Sequence, residues 1–289
     1  MSDIEDLASG KGSGDENFPV ASALIAPKHR PVVLAFYRVA RLSDDVADHP
    51  VLTSAEKLER LDAVEASLTG ADDGVPAAAA LRRVLAERGL TDRHMLDLLT
   101  AFRRDAVKSR YADWGDLMDY CRYSAAPVGR FVLDVHGEAR STWPASDALC
   151  AALQVINHLQ DCGKDYRDLD RVYIPRDALA AEGLDARDLG EAKAGPALRR
   201  VIAGLAGRTS ALLAVGGPLA GSVRDLRLSL EIGVIHTLAE SLVRRLMIRD
   251  PLSQKVHHSR AEAVGVALRG AAATLAARLS ARPERQAEA

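Results

Sequence analysis

Apolar residues recur along this chain with the three-to-four-residue period of α-helices, and no stretch alternates apolar and polar positions as a strand would. In 54–68, for example, Leu58, Leu61, Val64 and Leu68 form one stripe between charged positions. The same period predicts helices over 31–48, 54–68, 77–88, 92–108, 113–137, 147–166, 177–183, 196–215, 225–249 and 260–279. Because the chain has no βαβ unit, internal repeat or long linker, this pattern predicts a single all-α domain.

The two ends of the chain differ from its middle. Residues 1–16 are acidic and rich in Gly and Ser, without the apolar core of a signal peptide, and we predict that they are disordered. Residues 280–289 are predicted to be a flexible tail, which leaves 17–279 as the folded domain. The most apolar stretch, 201–223, contains Arg208 and a Gly-Gly-Pro break, so we do not expect it to span a membrane.

Two of the predicted helices are mostly apolar and end in acidic residues. Helix 31–48 is apolar nearly all round apart from its arginines, which predicts an internal position. It ends in Asp44, Asp45 and Asp48. Helix 147–166 begins with an apolar run and then carries three residues that are four apart, at Asn157, Asp161 and Asp165. Residues with that spacing stack on one helix face, separated by a rise of ~6 Å.

Carboxylates at the end of a buried helix are costly unless a cation meets them. Paired carboxylates on two facing helices would suit Mg²⁺ ions that neutralise a diphosphate leaving group at the mouth of an apolar cavity. Nearby basic side chains could hold the diphosphate oxygens: Arg38, Arg41, Lys164, Arg167 and Arg171. The alternative interpretation is a solvated acidic face, neutralised by ion pairs within each helix, such as Arg41 with Asp44 or Asp45.

Helix 113–137 contains both Pro127 and Gly129, which predicts a kink or local unwinding. The small residues there either open space for a ligand or accommodate the packing of a neighbouring helix. His158 lies one step round the helix from the acidic column, and a packed histidine is the favoured interpretation because Mg²⁺ prefers oxygen ligands.

Composition narrows the function further. Hydrophobic residues make up 48% of the chain, enough for a sizeable core, and the net charge of −2 predicts no global attraction to nucleic acid or to anionic lipid. The three cysteines are odd in number and widely spaced, which suits a reducing cytoplasm. Because the chain has no Gly-rich phosphate loop or Rossmann fingerprint, we predict no nicotinamide site.

At its acidic motifs the chain resembles the squalene/phytoene synthase family. The resemblance extends over about 17–260 and rests on YRVARLSDDVAD at 37–48, YCRYSAAPVG at 120–129, QVINHLQDCGKD at 154–165 and RVYIP at 171–175. Within the family the chain is most similar to the bacterial hydroxysqualene synthase branch of hopanoid biosynthesis. The segments that indicate this branch are ENFPVAS at 16–22, RYADW at 110–114, YSAAPVGR at 123–130 and RDPL at 249–252.

The resemblance implies the isoprenoid synthase fold, a helical bundle around a central hydrophobic cavity, with roles for specific residues. It implies Mg²⁺ and diphosphate binding by Asp44, Asp48, Asn157, Asp161 and Asp165, with Asp45 as a further metal candidate. It implies that Tyr37, Arg41 and Gln154 line the site, that Phe18 and Tyr120 shape the hydrocarbon channel, and that Lys255 closes on the diphosphate. Arg38, Arg171 and Tyr173 lie within the matching motifs and complete the candidate site.

The implied reaction is Mg²⁺-dependent conversion of presqualene diphosphate and water to hydroxysqualene. The water would be held by one of Tyr37, Tyr120, Tyr123 and His158. An upstream presqualene diphosphate synthase and a downstream squalene-forming oxidoreductase would be its partners, in the cytoplasm, with peripheral membrane contact left open. Two alternatives remain: condensation of two farnesyl diphosphates to presqualene diphosphate, squalene or a carotenoid precursor, and a non-catalytic helical lipid-binding or scaffold protein.

Overall fold

The computed structural model describes residues 25–280, and this part of the chain is built from α-helices. Their bounds are α1 Arg30–Asp48, α2 Ser54–Thr69, α3 Pro76–Arg88, α4 Arg93–Asp105, α5 Trp114–Ser124, α6 Ala126–Val135, α7 Trp143–Gln160, α8 Cys162–Leu169, α9 Arg176–Ala180, α10 Pro196–Gly216, α11 Leu219–Ser222, α12 Leu226–Leu246 and α13 Arg260–Ser280. Two short 3₁₀ helices lie at Arg140–Thr142 and Ala186–Gly190. The predicted all-α class is confirmed.

The predicted helix over 113–137 is two helices, α5 and α6. They separate at Ala125, whose φ of −123° and ψ of −49° leave the helical region. Pro127 lies in the first turn of α6, where its missing N–H costs no hydrogen bond. The predicted interruption is therefore confirmed, in the form of a complete break.

The predicted continuous helix over 147–166 begins earlier, at Trp143, and is interrupted at Asp161, where φ is −102° and ψ is 7°. Backbone hydrogen bonds nevertheless run across the interruption. The Asp161 N–H donates to the Asn157 carbonyl at 2.9 Å, and the Asp165 N–H donates to the Asp161 carbonyl at 2.8 Å. The continuity of the helix was predicted wrongly, but Asn157, Asp161 and Asp165 keep their four-residue stacking.

Two apolar core clusters meet at α6. One cluster comprises buried side chains of α1 to α4, and the other surrounds α7 with α10 and α12. The Phe131 ring of α6 stacks on Phe36 of α1 with 3.9 Å between centroids. On its other side α6 lies so close to α7 that a Cβ on Gly129 would be 2.6 Å from the Cys150 sulfur. Helix α6 therefore fixes the spacing between the two helices that carry the acidic motifs.

One stretch of residues 25–280, Pro196–Ser222, is long and apolar enough by length and composition to cross a membrane. In this structure 39% of its most apolar part is buried inside the protein. Helix α10 contributes Leu198, Ile202, Leu205 and Leu213 to the second core cluster. The stretch therefore serves as a core helix along one side and is exposed along the other.

Candidate active site

Helix α1 presents a stripe of partly exposed residues toward solvent-accessible space. The stripe comprises Leu34, Tyr37, Arg41, Asp44 and Asp48, at alternating spacings of three and four. Buried residues of α1, including Val32, Phe36 and Val39, face the core instead. We predicted that this helix is internal all round. That prediction is wrong for one side, where partly exposed residues run from Leu34 to Asp48.

Helices α7 and α8 carry a matching stripe. Its partly exposed members are Leu153, Gln154, Asn157, Asp161 and Asp165, which run from apolar through neutral polar to acidic. The α1 stripe has the same order except that Arg41 lies between Tyr37 and Asp44. Helix α6 contacts both helices, through Phe131 on Phe36 of α1 and through Gly129 beside Cys150 of α7. The acidic ends of the two stripes lie near each other, because the charge of Asp48 acts on Asp165.

The acidic ends interact electrostatically. Burial raises the pKa of Asp165 to about 7, with repulsion from Asp161 and then Asp48 adding to the effect. Burial also raises the pKa of Asp44 above its ordinary value, followed by repulsion from Asp48. Because Asp48 of α1 acts on Asp165 of α8, the two distant sequence motifs share one region of space.

Arg41 partly neutralises the α1 carboxylates. Its Nη1 lies 2.9 Å from Asp44 Oδ2, and its Nη2 lies 2.6 Å from Asp45 Oδ1. The predicted ion pairs within α1 are therefore confirmed. Asp45 is buried on the core side, outside the stripe, whereas Arg38 is exposed on the helix surface. Of the three α1 carboxylates, Asp44 and Asp48 are the two that the stripe presents.

Arg171 ties the end of α1 to the end of α4. This buried guanidinium donates from Nη1 to Asp48 Oδ1 at 2.5 Å, and from Nη2 to the carbonyls of Ala47 and Asp105, both at 3.0 Å. Side-chain exposure is 7% for Arg171 and 35% for Asp48. The geometry gives Arg171 a positioning role for Asp48.

Asp105, at the C-terminus of α4, is a site residue that our sequence analysis missed. Its carboxylate accepts hydrogen bonds from the hydroxyls of Tyr120 at 2.7 Å and Tyr173 at 3.1 Å. Burial raises the pKa of Asp105 to about 6, although Arg171 opposes the shift. The predicted helix 92–108 extends past Asp105, whereas α4 ends at this residue.

His158 and Gln154 form a hydrogen-bonded pair on α7. The His158 ring is buried and stacks on Tyr173 with 3.5 Å between centroids, which confirms the predicted packed histidine. Burial lowers the pKa of His158 to about 3, so the ring is neutral. The Gln154 Nε2 lies 3.1 Å from His158 Nε2 and can only donate, so the imidazole accepts. The Gln154 amide oxygen is thus left for other partners.

The segment containing Lys255 lies beside the acidic column. Gln160 donates from Nε2 to the Val256 carbonyl at 2.9 Å, and the charge of Asp161 acts on the pKa of His257. Lys255 itself is exposed. Phe18, the remaining channel residue of our prediction, lies outside the described residues.

A polar pocket of about 430 Å³ adjoins the acidic cluster. Asp48, Asp105 and Arg171 line it, together with Lys57 and Arg167. The Asp48 end of the α1 stripe therefore also borders a pocket whose lining contains both acidic and basic side chains.

The donor set fits Mg²⁺ bound together with a diphosphate. Within residues 25–280 no three His, Cys, Asp or Glu side chains form a group that could hold an ion by themselves. Mg²⁺ in proteins ordinarily takes one or two carboxylates and completes its octahedron with phosphate and water oxygens. The stripes provide such oxygen donors in pairs. The pKa of Asp165 is raised first by burial and then by the charges of Asp161 and Asp48, and a bound cation would offset that negative charge.

Comparison with known proteins identifies relatives over most of the chain. A model of the family described as squalene/phytoene synthase matches residues 12–262. The chain is 58% identical to a hydroxysqualene synthase of Rhodopseudomonas palustris, covering 89% of this chain and 88% of that protein. It is 53% identical to a hydroxysqualene synthase of Zymomonas mobilis, covering 93% of this chain and 91% of that protein.

Solved structures have the same fold. A squalene synthase, HpnC, from Alicyclobacillus acidocaldarius is 35% identical with a TM-score of 0.71, covering 83% of this chain and 90% of that one. A dehydrosqualene synthase crystallised with a ligand has a TM-score of 0.76 over 95% of this chain and 97% of that one, at 19% identity. The predicted isoprenoid synthase fold is confirmed. The chain is an enzyme that belongs to the squalene/phytoene synthase family.

Proposed function

We propose that this enzyme converts presqualene diphosphate and water to hydroxysqualene and diphosphate, with Mg²⁺ as its cofactor. The two relatives named hydroxysqualene synthase, above 50% identity, support this assignment. The observation on which the proposal chiefly rests is the pair of graded stripes. A substrate with a long hydrocarbon body and a charged head would lie along them with its head at the acidic end.

The chain's own residues would act on the leaving group. Asp44 and Asp48 of α1, with Asn157, Asp161 and Asp165 of α7 and α8, would hold Mg²⁺, which supplies Lewis-acid neutralisation of the diphosphate. Lys255 is exposed, and the residue after it accepts a hydrogen bond from Gln160, next to Asp161; Lys255 would add a cation on the open side. The carbon–oxygen bond breaks, the diphosphate takes the electron pair, and the cyclopropylcarbinyl cation rearranges in the apolar part of the cavity.

Water then has to reach the rearranged cation at one place. Gln154 lies midway along the α7 stripe, between Leu153 and the acidic column, and its amide nitrogen is engaged by His158. Its amide oxygen would accept a hydrogen bond from the attacking water. A new carbon–oxygen bond forms, and the released diphosphate takes the proton that the water loses. Tyr120, one of the residues predicted to hold the water, donates its hydroxyl hydrogen to Asp105 instead.

Purified enzyme incubated with presqualene diphosphate and Mg²⁺, without NADPH, is expected to produce an alcohol. No hydride donor is needed, because water adds to the carbocation through its oxygen. The measurement is product identification by mass spectrometry, with water labelled by oxygen-18 to trace the hydroxyl. Enzyme treated with a chelator is the control. A hydrocarbon product that appears only with NADPH would overturn the assignment.

The alternative reaction is condensation of two farnesyl diphosphates. The 35%-identical solved structure is described as a squalene synthase, which favours keeping this alternative. Incubation with farnesyl diphosphate alone separates the two: consumption of that substrate would favour condensation. The non-catalytic alternative gains no support from relatives that are enzymes.

Replacing Gln154 by leucine is expected to shift products from the alcohol toward hydrocarbons formed by proton loss, because the water would lose its acceptor. The alcohol fraction is expected to fall by roughly tenfold, the effect of about 1.4 kcal/mol in positioning. The ratio of products is read by gas chromatography. His158→Phe keeps the stack on Tyr173 but removes the ring nitrogen, so a smaller shift in the same direction is expected. An unchanged ratio in both variants would rule out this role.

The same proposal extends to partners and location. The substrate would come from a presqualene diphosphate synthase, and the alcohol would pass to an oxidoreductase that forms squalene. We place the reaction in the cytoplasm.

A further inference from the structure

The C-terminal helix α13 carries an apolar outer face. Its side chains are strongly exposed: Val264 at 59%, Leu268 at 66%, Leu275 at 42% and Leu279 at 54%. At 100° per residue these four positions fall within an arc of about 60°, along ~22 Å of helix. Apolar side chains aligned in this way form a continuous ridge, whereas scattered exposed leucines would not. We call these four residues the outer ridge.

The opposite face of α13 packs closely against α12, and this contact keeps the outer ridge on the surface. A Cβ on Gly270 would lie 2.7 Å from Thr237 Oγ1 and 2.9 Å from the Gly233 carbonyl oxygen. Gly233 is opposed in turn by the Thr274 side chain. This crossing of small residues brings the two helices into close contact. Rotation of α13 would place larger side chains in that contact.

Positive charge borders the outer ridge. Arg260 and Arg278 both project about 40° to one side of Val264 on the helical wheel. No ion pair among residues 25–280 involves either arginine, and the acid of α13, Glu262, bonds to Arg245 at 2.8 Å on the far side. Arg278 donates to the carbonyls of Val223 at 2.7 Å and Arg224 at 3.2 Å, but these neutral acceptors leave its charge uncompensated. The ridge therefore has cations along its border and no carboxylate within its arc.

A groove of about 660 Å³ continues the ridge at the C-terminal end of α13. Leu226, Leu275 and Leu279 line it, and its charged lining residues within the described part of the chain are Arg224 and Arg278. Pro218 also lines the groove, and Val215, near the C-terminus of α10, is 58% exposed. The exposed end of the most apolar helix stretch thus meets the ridge here.

We propose that the outer ridge and this groove dock the enzyme on an anionic phospholipid bilayer. Leucines at the level of the acyl chains with arginines at the level of the phosphates are the pattern by which amphipathic helices bind membrane interfaces. A second copy of the chain fits less well. Antiparallel pairing of two such ridges would bring Arg260 of each copy toward Arg278 of the other, without a carboxylate between them. The docking does not depend on which isoprenoid reaction the enzyme catalyses.

Vesicle flotation of the full-length enzyme tests the proposal. We expect the protein to float with vesicles of equal parts phosphatidylcholine and phosphatidylglycerol, and to bind pure phosphatidylcholine roughly tenfold less. High salt should release much of the bound protein, because exposed charges are screened. Absence of binding to the mixed vesicles would overturn the proposal.

Variants distinguish binding through the outer ridge from non-specific binding to lipid. Leu268→Glu is expected to lower binding to mixed vesicles by roughly tenfold or more, since a leucine that would enter the bilayer is replaced by a charge of the lipid's own sign. Val51→Glu is the matched control, because Val51 is also apolar and 81% exposed but lies between α1 and α2. It should bind like the wild type. Arg260→Gln should weaken binding to mixed vesicles while leaving pure phosphatidylcholine binding unchanged.

Turnover and molar mass are measured for the same proteins. Turnover of detergent-dispersed substrate should be the same in Leu268→Glu and the wild type, so loss of vesicle binding is separated from loss of fold or of the proposed reaction. Light scattering gives the molar mass of both proteins. If the wild type is a dimer and Leu268→Glu a monomer, and neither floats, the ridge is an interface between copies and membrane docking is wrong.

Discussion

Replacing Asp161 by asparagine is expected to lower turnover of presqualene diphosphate by roughly 100-fold to 1,000-fold, the usual effect of deleting one electrostatic contact to a developing charge. Asp161 is partly exposed on the α7 stripe at the point where α7 gives way to α8. Its side chain makes no capping hydrogen bond to α8, so the helix does not depend on it. Asparagine has the same shape but lacks the charge that would balance Mg²⁺.

Turnover as a function of Mg²⁺ concentration is the measurement for Asp161→Asn, together with the thermal shift produced by Mg²⁺ and inorganic diphosphate. The wild type should be stabilised by the two ligands together, and the variant much less. Asp177→Asn, an exposed carboxylate on α9, should behave like the wild type in both. Wild-type turnover of Asp161→Asn at limiting Mg²⁺ would show that this carboxylate does not take part.

Asp48→Asn is expected to lower turnover as well, but its interpretation is less direct. This carboxylate also accepts the 2.5 Å hydrogen bond from Arg171, so the variant disturbs the junction of α1 and α4. Its thermal midpoint should therefore be measured beside its turnover. Asp161, which lacks such a partner in its capping position, is the cleaner test of charge alone.

Replacing Arg171 by glutamine is expected to destabilise the fold by about 3 kcal/mol, since removal of one partner leaves a partly buried charge uncompensated. The guanidinium satisfies the Asp48 carboxylate and the carbonyls of Ala47 and Asp105 together. The figure is at the low end for buried pairs because the Asp48 side chain is 35% exposed. Turnover should fall too, because Asp48 would be free to turn away from the other carboxylates. Urea unfolding gives the stability change.

Two comparison variants distinguish positioning from substrate binding. Arg171→Lys keeps the charge but cannot reach all three acceptors, so it should recover only part of the stability. Arg110→Gln removes a surface pair with Asp170, whose side chain is 77% exposed, together with hydrogen bonds to the carbonyls of Ser109 and Asp170, and should cost less than Arg171→Gln. If Arg171→Gln kept wild-type stability but lost affinity for the substrate, Arg171 would be a diphosphate ligand and our positioning role would be wrong.

The sequence was sufficient for the helical class and for the meeting of the acidic motifs. Period alone located α1, α12 and α13 to within a few residues. Helices α1 and α12 bury long apolar faces, whereas the buried residue of α13 is Gly270. The spacing of Asn157, Asp161 and Asp165 was enough to place them together. Their four-residue hydrogen-bonding pattern continues even where the helix itself is interrupted.

What the sequence could not show depends on tertiary contact. Asp105 stands among basic residues in the chain, and only the fold brings Tyr120 and Tyr173 onto its carboxylate. Likewise Arg171 looked like a phosphate ligand, since the sequence does not reveal the two backbone carbonyls that occupy it. The break at Asp161 has no Gly or Pro at its own position, so local propensity gave no reason to expect it.

The graded stripes also have a consequence for the end of the catalytic cycle. In the proposed reaction one substrate molecule would be attracted to both ends of the stripes, its hydrocarbon by Leu34 and Leu153 and its head by the carboxylates with the Mg²⁺ that they would hold. Afterwards two separate molecules remain, each favoured by one end alone. The alcohol has no charge to retain it and should depart first, whereas inorganic diphosphate should linger and inhibit the enzyme competitively as it accumulates.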